Sequence, residues 1–126
     1  MNVKRDATVT WAPGPSLAWG LLLLAAACEI GWAVTLPFTD GFTKLVPSMV
    51  ATVLMVAAFL PLMAAIRTLA VGTAYAVWTG LGTVGITMIG MVWMEEPVNL
   101  FRVLSILLII VGVVGLKIMQ GRTVAS

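Results

Sequence analysis

Histidine is absent from this chain, cysteine and tyrosine each occur once, and only 10% of the residues carry charge. With no His and the single Cys28, the chain cannot assemble a zinc or iron-sulfur site, close an internal disulfide, or supply the base of a Ser-His-Asp triad. Metal and hydrolase chemistry are therefore set aside, and no cofactor is expected. The adjacent acids Glu95 and Glu96 stand beside Pro97 at the end of an apolar run. They read as a solvated turn rather than an acid/base pair. The net charge of +2 comes from seven Lys and Arg that are scattered and flank apolar stretches. This pattern fits membrane anchors and argues against a nucleic-acid partner.

What the chain has in abundance is apolar surface. Of its 126 residues 61% are hydrophobic, and the mean hydropathy is +1.11. That composition predicts an all-α integral membrane protein. Four runs, at 16–36, 47–66, 72–94 and 100–119, reach the roughly 20 residues a helix needs to cross about 30 Å of hydrocarbon. The breaks carry turn residues: Pro37 through Val46 with Asp40, Gly41 and Lys44; Arg67 through Val71; and Glu95, Glu96, Pro97 and Asn99. Such short turns make successive spans antiparallel and bring both termini to one side. That side carries Lys4, Arg5, Arg67, Lys117 and Arg122, against Lys44 and Arg102 opposite, which places the termini in the cytoplasm.

Ala25-Ala26-Ala27-Cys28 loosely resembles a lipoprotein cleavage box, but the apolar run continues to Leu36 and three more spans follow. Residues 1–15, with Pro13 and Pro15, read instead as a polar N-terminal tail. Residues 16–119 form the transmembrane domain, and residues 120–126 a C-terminal tail.

Glu29 interrupts the first span, where an ionised group costs at least about 2–3 kcal/mol unless something stabilises it. On a helix it shares a face with Leu22, Ala25, Ala26, Trp32, Ala33 and Leu36, a mostly small surface that another helix can approach closely. No Lys or Arg lies at its depth to form a permanent pair. Water-poor surroundings disfavour a free carboxylate, so the group gains by holding either a proton or a mobile cation. Competition of the two for one carboxylate, with the protein alternating between inward-facing and outward-facing states, is the minimum chemistry of a proton-coupled antiporter. A scaffold in which Glu29 merely bonds a neighbouring helix is the alternative from another class. Proton release on adding a cation separates the two.

The third span places Tyr75, Trp78, Thr79 and Gly82 on one face. Ring faces attract positive charge, and the Tyr hydroxyl and Trp N–H can bond a carboxylate. Gly80, Gly82, Gly85 and Gly90 suit either bending or close packing of this helix. The fourth span, with Arg102 and Lys117 near its ends and a plain Leu, Ile and Val body, reads as an assembly surface. Four short helices enclose little on their own, so at least a dimer is expected, with two facing carboxylates titrating as a coupled pair.

Three stretches together, Glu29 with Trp32-Ala33, Asp40 through Ser48, and Val71 through Gly82 containing GTAYAVWTG, resemble the small multidrug resistance family over about residues 17–119. The resemblance implies a four-helix antiparallel dimer in the bacterial cytoplasmic (inner) membrane, exporting small organic cations in exchange for protons. It further implies that Glu29 is the shared proton and substrate carboxylate, Trp32 and Tyr75 its hydrogen-bonding neighbours, and Trp78 a further wall. Trp32 and Trp78-Thr79-Gly80 are most similar to the guanidinium exporter branch. Guanidinium is planar, permanently charged and able to donate two parallel hydrogen bonds to a carboxylate.

The chain departs from that branch with Ala26, Pro37 and Ala58 where a Gly, a Lys and a Ser are common. Loss of the Ser leaves the carboxylate less constrained and the pocket more tolerant of apolar substituents. Export of quaternary ammonium or substituted amine cations is thus the alternative substrate reading. The charge bias between the two sides leaves two partners open, a second copy or a paired subunit of the same family.

Overall fold

The computed structural model describes residues 11–125, with side chains described through residue 119. Lys4, Arg5 and most of the expected N-terminal tail lie outside the described residues, as does the side chain of Arg122. Four helices, each long and apolar enough to cross a membrane, make up the described chain: α1 Pro15–Thr35, α2 Leu45–Ala65, α3 Val71–Trp93 and α4 Leu100–Ala125.

Prolines set several of the ends. Pro15 opens α1 at a position whose N–H would be unpaired anyway. Pro37 has no N–H to continue the α pattern, so α1 gives way to a 3-10 turn at Leu36–Thr39. The expected span end at residue 36 is thereby extended by one tighter turn. Asp40, Gly41 and Phe42 then follow with φ of 47°, 67° and 65°. Only Gly41 adopts this left-handed conformation without Cβ strain. Thr39 holds the reversal together. Its hydroxyl donates to the Leu36 carbonyl at 2.8 Å and accepts the Phe42 N–H at 3.3 Å, while its carbonyl accepts the N–H groups of Thr43 and Lys44. Thr39 is accordingly buried with its polar atoms satisfied.

In α2, Pro61 sits inside the helix without ending it, a tolerance usual for spans whose neighbours re-satisfy the freed carbonyl. Between α3 and α4 the Gly90 carbonyl accepts the N–H groups of both Met94 and Glu96, each at 3.1 Å. The turn is solvated, as read, and also pinned: Glu96 pairs with Arg102 at 2.8 Å, and Arg102 donates to the Pro97 carbonyl at 2.9 Å. Asn99 caps α4, its Oδ1 accepting the Arg102 N–H at 2.9 Å. Asn99→Ala is expected to lower stability by about 1 kcal/mol, read as an earlier thermal unfolding midpoint in detergent with transport retained.

α1 is the central helix, packed on α2 along one side and on α3 along the other, while α2 and α3 touch each other little and α4 packs on α3. The core is built from small residues: Ala18, Leu22, Ala25 and Ala26 of α1, Ala58, Leu62 and Ala65 of α2, Leu69 of the loop, and Ala74, Val77 and Trp78 of α3. Small side chains let backbones approach where lipid removes the usual hydrophobic drive. None of the described residues of α4 is buried. This leaves α4 the outermost helix of the single chain.

Candidate functional site

Glu29 lies in the C-terminal half of α1, half-buried, and its carboxylate rests on α3 at Gly82. A Cβ at position 82 would come within 2.5 Å of the Glu29 carboxyl carbon and 3.0 Å of one oxygen. Any larger residue there would displace the carboxylate. Gly82 was expected on the Tyr75 and Trp78 face, but its part as the seat of the carboxylate is a contact between residues 53 positions apart, which no local pattern encodes.

Three other glycines of α3 each meet a different neighbour, while Gly72 near its start meets none. Gly85 admits the side chain of Ile30 from α1, a Cβ at Gly80 would stand 3.2 Å from both Ile109 and Val113 of α4, and Gly90 receives the carboxylate of Glu96. Close packing therefore accounts for Gly80, Gly82, Gly85 and Gly90.

Trp78 is buried at the α1 junction, where its indole N–H donates to the Ala25 carbonyl at 3.3 Å, one turn before Glu29. Phe59 of α2 and Tyr75 of α3 flank it, each ring centroid 5.2 Å from that of Trp78, Tyr75 edge-on at 80°. Such geometries suit the quadrupoles of the rings. Phe59 was not anticipated from the sequence, where it is one of many apolar residues of α2. Tyr75 remains half-exposed. Thr79, expected on the same face, instead lines a groove between α3 and α4 with Ala76, Gly80 and Thr83, and its hydroxyl bonds the Tyr75 carbonyl at 2.8 Å.

Among the described residues no hydrogen bond joins Glu29 to Trp32, Tyr75 or Trp78. Instead, Glu29 Oε2 and Trp32 Nε1 are both buried without a partner. An acceptor and a donor one turn apart on the same helix thus stand desolvated and unsatisfied, at a cost of about 1–3 kcal/mol each. Buried polar groups are nearly always paired, so these two atoms, three residues apart on one helix, are free to take a water, a ligand or a group of a neighbouring chain. The chemistry on offer is a carboxylate acceptor, an indole donor beside it and aromatic rings one turn away. It suits a small cation that donates hydrogen bonds, and a proton can occupy the same oxygen.

Comparison with known proteins bears on this site. The sequence model of the family described as Small Multidrug Resistance protein matches residues 17–109. The chain is 43% identical over 102 residues to a guanidinium exporter of Yersinia pseudotuberculosis, an alignment covering 81% of this chain and 98% of that protein. Guanidinium exporters of Salmonella typhimurium and Escherichia coli are 44% and 42% identical over the same length, each covered to 97%. These relatives are named as transporters, not enzymes.

Proposed function

Because the chain belongs to the small multidrug resistance family, we propose that it is a proton-coupled antiporter exporting guanidinium or guanidinyl-type small cations. It is a multi-pass protein of the bacterial inner membrane. The observation that carries the reading is the Glu29 carboxylate: inside the first span, seated on Gly82 and without a hydrogen-bond partner among the described residues.

In the proposed cycle a guanidinium ion donates two parallel bonds to Glu29, while the Trp32 ring and the Tyr75 and Trp78 aromatics bound the site. Protonation of the same carboxylate displaces the ion. Each conformational switch carries one or the other ligand, so the proton gradient drives export. Residues 16–119 are the transporting unit, with residues 1–15 before it and residues 120–126 after it, although α1 already opens at Pro15 and α4 continues to Ala125. The unit is an antiparallel dimer in which a second Glu29 faces the first. Support for a partner comes from the orphaned Oε2 and Nε1 and from α4, none of whose described residues is fully buried.

One observation favours a wider substrate range. Ala26 and Ala58 are buried in the same core cluster as Trp78, and at Ala58 α2 contributes a methyl group rather than a hydroxyl that would restrain the carboxylate. Substituted amines or quaternary ammonium ions, handled alone or with a paired subunit, are the alternative. Reconstituted protein on a solid-supported membrane, challenged with cations from guanidinium to tetrapropylammonium, separates these readings. Guanidinium currents from the chain alone are expected. Currents only with the hydrophobic ions would favour the alternative, and none with any cation would overturn both.

A further inference from the structure

Residues 11–14 precede the residues matched by the family model, which begin at 17, and the guanidinium exporters align over nearly their whole length while covering 81% of this chain. This segment is nevertheless fastened to the transporter. Arg67 Nη1 donates to the Trp11 carbonyl at 2.9 Å, and the Thr68 hydroxyl donates to the Pro13 carbonyl. Pro13 is buried, and Gly14 then caps α1. Both donors belong to the α2–α3 loop, which turns on the Ala65 carbonyl through the N–H groups of Thr68 and Leu69 and anchors itself with buried Leu69.

The attachment is selective. Beside the loop, Trp11 and the last turns of α2 border an open groove of about 420 Å³, lined by Leu60, Met63, Ala64, Ile66 and Arg67. The segment is therefore held by its carbonyls at the loop rather than filled in against α2. The loop leads straight into α3, whose second and third turns carry Tyr75 and Trp78. Because α2 and α3 touch little, the start of α3 takes its position from α1 and from this loop.

We propose that residues 11–14 are a strap that couples the α2–α3 loop to the start of α1, with Arg67 and Thr68 as its positioning residues, so that the Tyr75 and Trp78 wall moves only when the strap lets go. The proposal rests on the transport reading above. Release of the strap is then one of the steps that set turnover, while the affinity of the carboxylate for its cation is set elsewhere.

Two measurements on the full-length protein test it. Deleting residues 2–13 should speed hydrogen exchange at the Thr68 and Leu69 amides about fivefold or more, the loss expected from two hydrogen bonds. Unchanged exchange would overturn the strap whatever the protein transports. In a Cys28→Ala background, Pro13→Cys with Thr68→Cys allows the strap to be locked by oxidation. The oxidised protein should bind guanidinium with unchanged Kd but turn over at least tenfold more slowly, with full recovery on reduction. Equal turnover in both states would refute the coupling while leaving the exporter reading intact. Absence of transport in the reduced and unmodified proteins alike would overturn both.

Discussion

Glu29→Gln is expected to abolish guanidinium-driven current and to weaken guanidinium binding by about a hundredfold or more, the equivalent of two charge-assisted hydrogen bonds at about 1.5–3 kcal/mol each. Gln keeps the size of the side chain and can still accept one bond, but it carries no charge to balance the cation and cannot exchange a proton. The fold should survive, because the carboxylate has no hydrogen-bond partner to lose among the described residues. Helix content and elution volume in detergent should therefore match the unmodified protein. The pH dependence must change with the charge. In the unmodified protein, acid weakens cation binding because proton and cation compete for one site. The apparent affinity should fall by about tenfold per unit of pH wherever the proton already occupies the carboxylate. In Glu29→Gln the residual binding should be flat with pH. A variant that still transports, or that retains the pH dependence, would assign both ligands to another group.

Gly82→Ala is the second large effect. The added methyl group would overlap the carboxylate, falling within 2.5 Å of its carboxyl carbon, so Glu29 must swing away from α3 or the helices must part. Overpacking of this kind costs about 1–3 kcal/mol, which corresponds to about a five- to hundredfold loss of cation affinity if it falls on the site. Alanine is also the better helix former by about 1 kcal/mol. Loss of binding with unchanged or raised thermal stability is therefore the expected signature. It distinguishes a displaced carboxylate from a damaged fold. Gly85→Ala, which presses on the apolar side chain of Ile30 rather than on the carboxylate, should be much milder in binding. Comparable binding losses in both variants, or normal binding in Gly82→Ala, would contradict the seat assigned to Glu29.

The four spans and their breaks were legible because hydropathy, Pro37, Gly41 and the Glu95 to Pro97 run act within a few residues of where they are read. The ends moved by local geometry: a proline without its N–H turned the tail of the first span into a 3-10 turn, and α2 began two residues earlier than expected, with Pro47 in its first turn. Glu29 itself stood out as a charge in an apolar run. Its surroundings were far less readable. The donor of Trp78 goes to a backbone carbonyl, an acceptor every residue owns, so nothing in the sequence singles out Ala25. Gly82 was visible as a small residue on the right face, but its partner lies on another helix. The ion pair between Glu96 and Arg102 spans a turn that composition alone marks only as polar. Likewise, Pro13 and Pro15 announce a break before α1, not the attachment of that segment to Arg67 and Thr68.

The central claim is that one carboxylate holds a proton or a cation, never both. Guanidinium added to weakly buffered, detergent-solubilised protein, with a pH indicator present, measures that exchange directly. Unmodified protein poised where Glu29 is protonated should release protons in step with guanidinium bound, and Glu29→Gln should release none. Guanidinium binding to the unmodified protein without proton release would contradict the account.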